Sequence, residues 1–150
     1  MYVFDVRLAD VDRSVNETLT IRAARHPSET AEYLVTRLLA YCLEYAEGIA
    51  FSKGLSDPDE PAIVVRDLTG VLKAWIEVGA PDADRLHKAA KAAPDVAVYA
   101  HRGLDALMER LDGARIHRAA DIRLRAVDAG LLAELVARLD RRMSLSTAAS

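Results

Sequence analysis

The stretch KAWIEVGAPDADRLHKAAKAAPDVAVYA, residues 73–100, constrains the fold more than any other part of the chain. Apolar runs at Trp75–Val78 and Val96–Tyr99 flank a segment opened by Pro81 and Asp82, in which Leu86, Ala89, Ala90 and Ala93 recur at three-four spacing. A strand, a helix and a strand in that order imply that the two strands are parallel, because the helical crossover returns the chain to the end of the sheet it left.

The other periodicities extend this unit. MYVFDVRLAD and VNETLTIRAA alternate apolar and polar residues around VDRSVN, which predicts an antiparallel hairpin. From Thr30 to Glu47, residues Ala31, Leu34, Val35, Leu38, Leu39, Cys42 and Ala46 form one apolar stripe; Ser28 is the candidate N-cap and Gly48 the stop. Strands are predicted at 49–53, 62–67 and 71–79, a helix at 82–93 and a strand at 95–101. A mostly helical segment at 104–119, a strand at 121–127 and a final amphipathic helix at 129–143 follow, and the tail SLSTAAS is expected to fray. The predicted fold class is α/β (α+β): a single domain over 1–150, with an N-terminal β-hairpin and a mixed β-sheet flanked by helices.

With 51% apolar and 29% charged residues, a chain of 150 suits one compact domain. Twenty basic and 23 acidic side chains leave a net charge of −3, so any nucleic-acid contact requires a local basic patch. Cys42, the single cysteine, cannot form an intrachain disulfide, and the N-terminus lacks the basic-then-apolar build of a signal peptide. No apolar run is long enough for a membrane span, so a cytoplasmic protein without membrane contact is expected. Nothing in the sequence sets an oligomeric state.

The loop GLSDPDEP carries Asp57, Asp59 and Glu60 directly before one predicted strand, and Glu77 interrupts the apolar run of the next. A two-residue turn at Thr69 and Gly70 would place Leu68 opposite Val71, Ala62 opposite Glu77 and Glu60 opposite Gly79. A one-residue slip would instead bring Asp59 to the Glu77 face. Carboxylates that converge from neighbouring strands repel unless a cation or a proton intervenes, and a divalent metal is the functional reading. The alternative is a solvated turn, with Glu77 facing solvent or paired with Arg66 or Lys73.

ARHPSET, FSKGLSDPDEP, RDLTG and WIEVGAPD, in this order and spacing, closely resemble the YaeQ family of bacterial proteins. The resemblance runs from the hairpin to about Met143, and SLSTAAS stands where the family's usual C-terminal extension is expected. It implies a core similar to that of the PD-(D/E)XK, restriction-endonuclease-like nucleases: helix, three-stranded meander, helix, strand. In such nucleases, acidic side chains hold Mg²⁺, with Mn²⁺ as a substitute, and a lysine helps place the attacking water. Carried over by position, Glu77 matches the acid of the third core strand. Gly79 stands where the lysine belongs, and Ala62 where an aspartate would. Asp59 or Glu60 is then the replacement acid, Lys88 or Lys53 the replacement lysine, and Glu29 the helical glutamate, with Glu32 and Glu44 as alternatives. The implied catalytic set is Glu29, Glu60, Glu77 and Lys88, and the implied metal set is Asp59, Glu60 and Glu77.

Two functions follow from the resemblance. One is a Mg²⁺-dependent phosphodiesterase acting on nucleic acid with a degraded motif. The other is a catalytically inactive nucleic-acid- or protein-binding module. Each residue also has a structural role to weigh: Lys88 lies four residues after Asp84, Glu29 can favour a helix dipole, and His26 can be a local hydrogen bonder. Trp75 shares the Glu77 face and can pack beneath the site or in the core. His87, His101 and His117 show no zinc spacing.

Overall fold

The computed structural model describes residues 1–10, 14–52 and 60–149; Lys53, Asp57 and Asp59 lie outside the described residues. Strands β1 (Tyr2–Asp10) and β2 (Val15–Ala23) form the expected antiparallel hairpin. Phe4, Val6 and Leu8 alternate inward on β1, and Ile21 and Ala23 join them from β2. Helix α1 spans Ala31–Leu43. Its N-cap is Thr30 rather than Ser28, since the Thr30 hydroxyl accepts the Tyr33 N–H. The helix also stops before Glu47, because the chain must bend at Gly48, whose φ is +88° and where a Cβ would lie 1.9 Å from the Arg66 carbonyl oxygen.

Strands β3 (Ile49–Phe51), β4 (Ile63–Arg66) and β5 (Leu72–Val78) form an antiparallel meander. Ile63 pairs with Ile76 and Val64 with Trp75, the register expected from the sequence, but the turn that sets it differs. Asp67 N–H bonds to the Val71 carbonyl around a three-residue loop, and the Asp67 carboxylate accepts the Thr69 and Val71 N–H groups. A bulge follows, with Val65 opposite Ala74 and Arg66 opposite Leu72, so Lys73 is the extra residue that restores the ladder.

Helix α2 (Ala83–Ala92) then crosses to β6 (Asp95–Ala100), which pairs with β5 in parallel as predicted. Leu86, Ala89, Ala90 and Ala93 are buried, as their spacing required. Helix α3 covers only Leu104–Leu111: Gly113, at φ +76°, ends the run that was expected to continue to Ala119. Strand β7 (Arg123–Ala126) adds parallel to β6, and helix α4 (Ala129–Ala137) is shorter than predicted. Residues 142–149, whose last part was expected to fray, form β8 (Arg142–Ala149), parallel to β1, with Val6 opposite Leu145. Met143 and Leu145 alternate onto the apolar side of β1, which is the force that recruits the segment.

One mixed sheet was expected and two are found, ordered β2-β1-β8 and β3-β4-β5-β6-β7. Both contain parallel and antiparallel pairs. Helix α1 is enclosed: Leu34, Leu38 and Cys42 pack on the first sheet, Ala40 belongs to the core over the second, and Val35 meets Leu132 and Leu135 of α4. Among the described residues, no helix is long and apolar enough to cross a membrane.

Candidate functional site

Alternation along β5 turns Ala74, Ile76 and Val78 into the core beneath α1, and Trp75 into the core with α2. Glu77 shares the Trp75 face and is 5% exposed. Pro81 and Asp82 follow directly; the Asp82 carboxylate caps α2 by accepting the Arg85 N–H at 2.8 Å. That cap holds Arg85 in the first helical turn, beside the end of β5. Arg85 Nε donates to Glu77 Oε1 at 2.7 Å, and its Nη2 donates to the Glu60 carbonyl oxygen at 2.5 Å. Trp75 Nε1–H donates to the same Glu77 Oε1 at 2.6 Å, with the guanidinium 5.9 Å from the indole centroid. Burial pushes the Glu77 carboxyl above the usual carboxylate range, and the Trp75 hydrogen bond and the Arg85 charge oppose that shift.

A second buried pair lies beside it. Glu29, just before the α1 cap, is 5% exposed, and Arg37, from the middle of the helix, is 7% exposed. Arg37 Nη2 donates to Glu29 Oε1 at 3.3 Å and to the Ala24 carbonyl oxygen at 2.9 Å, while the His26 N–H also donates to Oε1. Glu29 Oε2 stands 3.0 Å from the same nitrogen, yet it is buried without a hydrogen bond, as is Arg37 Nε. The Tyr33 hydroxyl is pushed up to about 12, by burial first and by the Glu77 charge second, so at neutral pH it is a phenol able to donate.

These side chains line one cleft of about 720 Å³, with Arg22, Arg25 and His26 also contributing to its wall. The cleft brings together Glu29, Glu60 and Glu77, three of the four residues of the expected catalytic set. Lys88 is exposed on α2 and does not line the cleft, whereas Arg85, one helical turn earlier, reaches Glu77 at the end of β5. Asp59 and Lys53 lie outside the described residues. Of the alternative helical glutamates, Glu32 is not part of the lining and Glu44 sits at the far end of α1, bonded to Tyr99 and Arg123. Neither Arg66 nor Lys73 pairs with Glu77; Lys73 is 3.8 Å from Asp67. Trp75 fills both roles considered for it, lying in the core and bonding to Glu77. His26 Nδ1 lies 2.7 Å from Ser28 Oγ and accepts the Ser28 N–H, the local bonding expected of it.

Sequence reading missed Arg85, Arg37 and Tyr33. A signal existed for two of them: Arg85 stands three residues after the helix-opening Asp82, and Arg37 interrupts the apolar stripe between Val35 and Leu38. The donor set also tests the implied Mg²⁺ or Mn²⁺. Among the described residues, no three His, Cys, Asp or Glu side chains are grouped to hold a metal ion. Each buried carboxylate of the cleft is already neutralised by an arginine. The described residues therefore do not fit a divalent-metal centre. What they offer is guanidinium and phenol donors toward an anion.

The comparisons with known proteins agree with one another. The family model described as YaeQ protein matches residues 1–150. The uncharacterized protein YaeQ of Salmonella typhi is 36% identical over 146 residues, covering 97% of this chain and 81% of the relative. That of Escherichia coli K12 is 35% identical over 147 residues, with the same coverage. The crystal structure of the YaeQ protein from Pseudomonas syringae superposes with a TM-score of 0.88 at 35% identity, covering 99% of this chain and 83% of that one. The YaeQ protein from Xanthomonas axonopodis pv. citri gives 0.89 at 30% identity, covering 99% and 85%. Matched along its whole length by the family model and by solved structures of the same architecture, the chain belongs to the YaeQ family.

Proposed function

We propose that the cleft binds the phosphate backbone of a nucleic acid without cleaving it. The observation that carries this reading is the pairing of both buried carboxylates with arginines, Glu77 with Arg85 at 2.7 Å and Glu29 with Arg37 at 3.0 Å. A neutralised acid neither holds a metal nor acts as a strong base, whereas guanidinium groups remain donors for phosphate oxygens. Arg22, Arg25, Arg37 and Arg85 line the cleft against Glu29, Glu60 and Glu77, so its described wall is cationic in a chain whose net charge is −3. That is the local basic patch a nucleic-acid contact needs here. The resemblance to nuclease-like proteins points to the same ligand class.

The test is anisotropy of a labelled oligonucleotide in EDTA, titrated at several salt concentrations. Binding is expected to weaken steeply with salt, and Arg22→Glu with Arg25→Glu to lower the logarithmic slope by about one for each phosphate that is no longer neutralised. Absence of binding at low salt would end this reading.

A second reading, a Mg²⁺-dependent phosphodiesterase, is favoured by one specific feature: Glu29, Glu60 and Glu77 share the cleft, and Glu29 Oε2 is buried without a hydrogen-bond partner. It requires metal-dependent cleavage of the same oligonucleotide that disappears in Glu77→Gln.

A further inference from the structure

A second cavity, of about 980 Å³, opens at the other end of α1, between that helix, strands β4 to β7, α4 and β8, and it shares no lining residue with the cleft. Its apolar wall is built by Leu39 and Leu43 of α1, Val127, Leu131 and Leu135 of α4 and the turn before it, and Leu145 of β8. Leu43 and Leu131 are 42% and 45% exposed, whereas Leu38 and Leu132 on the same two helices are buried. Exposed leucines from different helices that border one cavity are apolar surface without a cover. Cys42 also lines it, and burial pushes its thiol up to about 12, so it serves there as a small apolar group and not as a nucleophile.

The charged groups on this wall divide by sign. Every acid is committed: Glu44 accepts from Tyr99 and Arg123, Asp95 accepts from Arg123, and Asp128 caps α4 by accepting the Leu131 N–H. Arg123 is thereby used up, and Lys73 lies 3.8 Å from Asp67. Alternation on β7 turns Arg125 to the same side of the sheet as Arg123, yet Arg125 makes no hydrogen bond or ion pair among the described residues. Small-molecule sites are typically cavities of about 300–1,000 Å³ with apolar walls and a few polar groups that fix the ligand's orientation. Here the uncommitted charge is a guanidinium, whose fork matches a carboxylate. We propose that the cavity binds a small amphipathic anion, with a single aliphatic chain among the leucines and a carboxylate head on Arg125. This goes beyond the nucleic-acid reading and does not depend on it, since the two sites have no residue in common.

The test is isothermal titration calorimetry at about pH 8, where the probe's carboxylate is ionised. Dodecanoate, kept below the concentration at which it forms micelles, and its cationic counterpart dodecyltrimethylammonium are titrated into wild type, Arg125→Gln and Leu131→Glu. Wild type is expected to bind a single dodecanoate per chain, and the cationic amphiphile at least about tenfold more weakly, because only the anion gains a charge-assisted hydrogen bond. Arg125→Gln is expected to lose about tenfold in dodecanoate affinity for the same reason. Leu131→Glu is expected to lose at least as much, since it sets a like charge on the apolar wall. Both side chains are exposed, and position 131 lies three residues after the Asp128 cap, where a glutamate suits a helix start, so both variants are expected to keep the wild-type urea midpoint closely. Should one of them fail to fold, the other decides. Absence of dodecanoate binding to wild type, uptake that does not saturate at one equivalent, equal affinity for the two amphiphiles, or affinity unchanged in either folded variant overturns the inference.

Discussion

Each end of α1 carries an arginine bound to carboxylates and a tyrosine nearby, but the two centres are built on different terms. At the C-terminal end, Arg123 from β7 binds Glu44 through Nη1 and Nη2 and reaches Asp95 at the start of β6, while the Tyr99 hydroxyl donates to Glu44 at 2.6 Å. One cation there serves two acids, and the Glu44 carboxylate receives donors on both oxygens. At the N-terminal end each acid has its own arginine, and Glu29 Oε2 and Arg37 Nε are left without hydrogen bonds; both centres border open space, a cavity of about 980 Å³ beside Arg123 and the cleft of about 720 Å³ here. A satisfied network that joins α1, β6 and β7 is a tie between elements. An under-satisfied one leaves hydrogen-bonding capacity unused inside the fold.

The contrast can be broken hardest at Arg37. Arg37→Met leaves Glu29 buried with no counter-charge, and both side chains are almost fully covered, at 8% and 2% exposure. The expected loss is about 3–5 kcal/mol, read as a lower urea midpoint at unchanged slope. Arg123→Met is expected to cost less, about 2 kcal/mol, because Arg123 is 33% exposed, Asp95 can turn to solvent and Glu44 keeps the Tyr99 bond. It is also expected to leave oligonucleotide binding unchanged. If the order of the two losses were reversed, the C-terminal tie would be the dominant electrostatic feature of the fold.

Trp75→Phe sharpens the comparison from the core side of Glu77. It keeps an aromatic ring in the α2 core but removes the N–H donated to Glu77 Oε1 together with part of the buried indole volume. Since Arg85 still donates to that oxygen, the hydrogen-bond part of the loss is expected to be about 1.5 kcal/mol, measured by the same urea unfolding.

How far the sequence foretold all this depends on whether the information was local. Alternation on β1 and β5 and the stripe on α2 were read correctly, because each records one element facing one core. The ladder between Ile63 and Ile76 also followed from the pattern, although the turn did not: the Asp67 carboxylate organises a longer loop, and the bulge at Lys73 cancels the difference. Three features were hidden because they depend on a partner far along the chain. The segment SLST becomes a strand only because β1 offers it an edge, with Met143 and Leu145 as the apolar half of a short alternation. Arg37 looked like a polar interruption of a stripe, since nothing in the helix announces that α1 is covered on several sides. On α2, the charge that meets Glu77 is set by the angle at which the helix leaves Asp82, which selects Arg85 over Lys88.

The finest test concerns the balance of terms at Glu77. Burial raises its carboxyl above the reference value of 4.5, and the Trp75 bond and Arg85 oppose this without reversing it. In the folded chain Glu77 therefore holds its proton to a higher pH than in the unfolded one. Its contribution to stability is fully present below 4.5 and is lost as the pH rises through the folded value. The difference in thermal midpoint between wild type and Glu77→Gln, followed from about pH 4 to pH 8, should decline through that window and then level off. A difference that rises instead would mean that the Arg85 pair outweighs the burial of the acid.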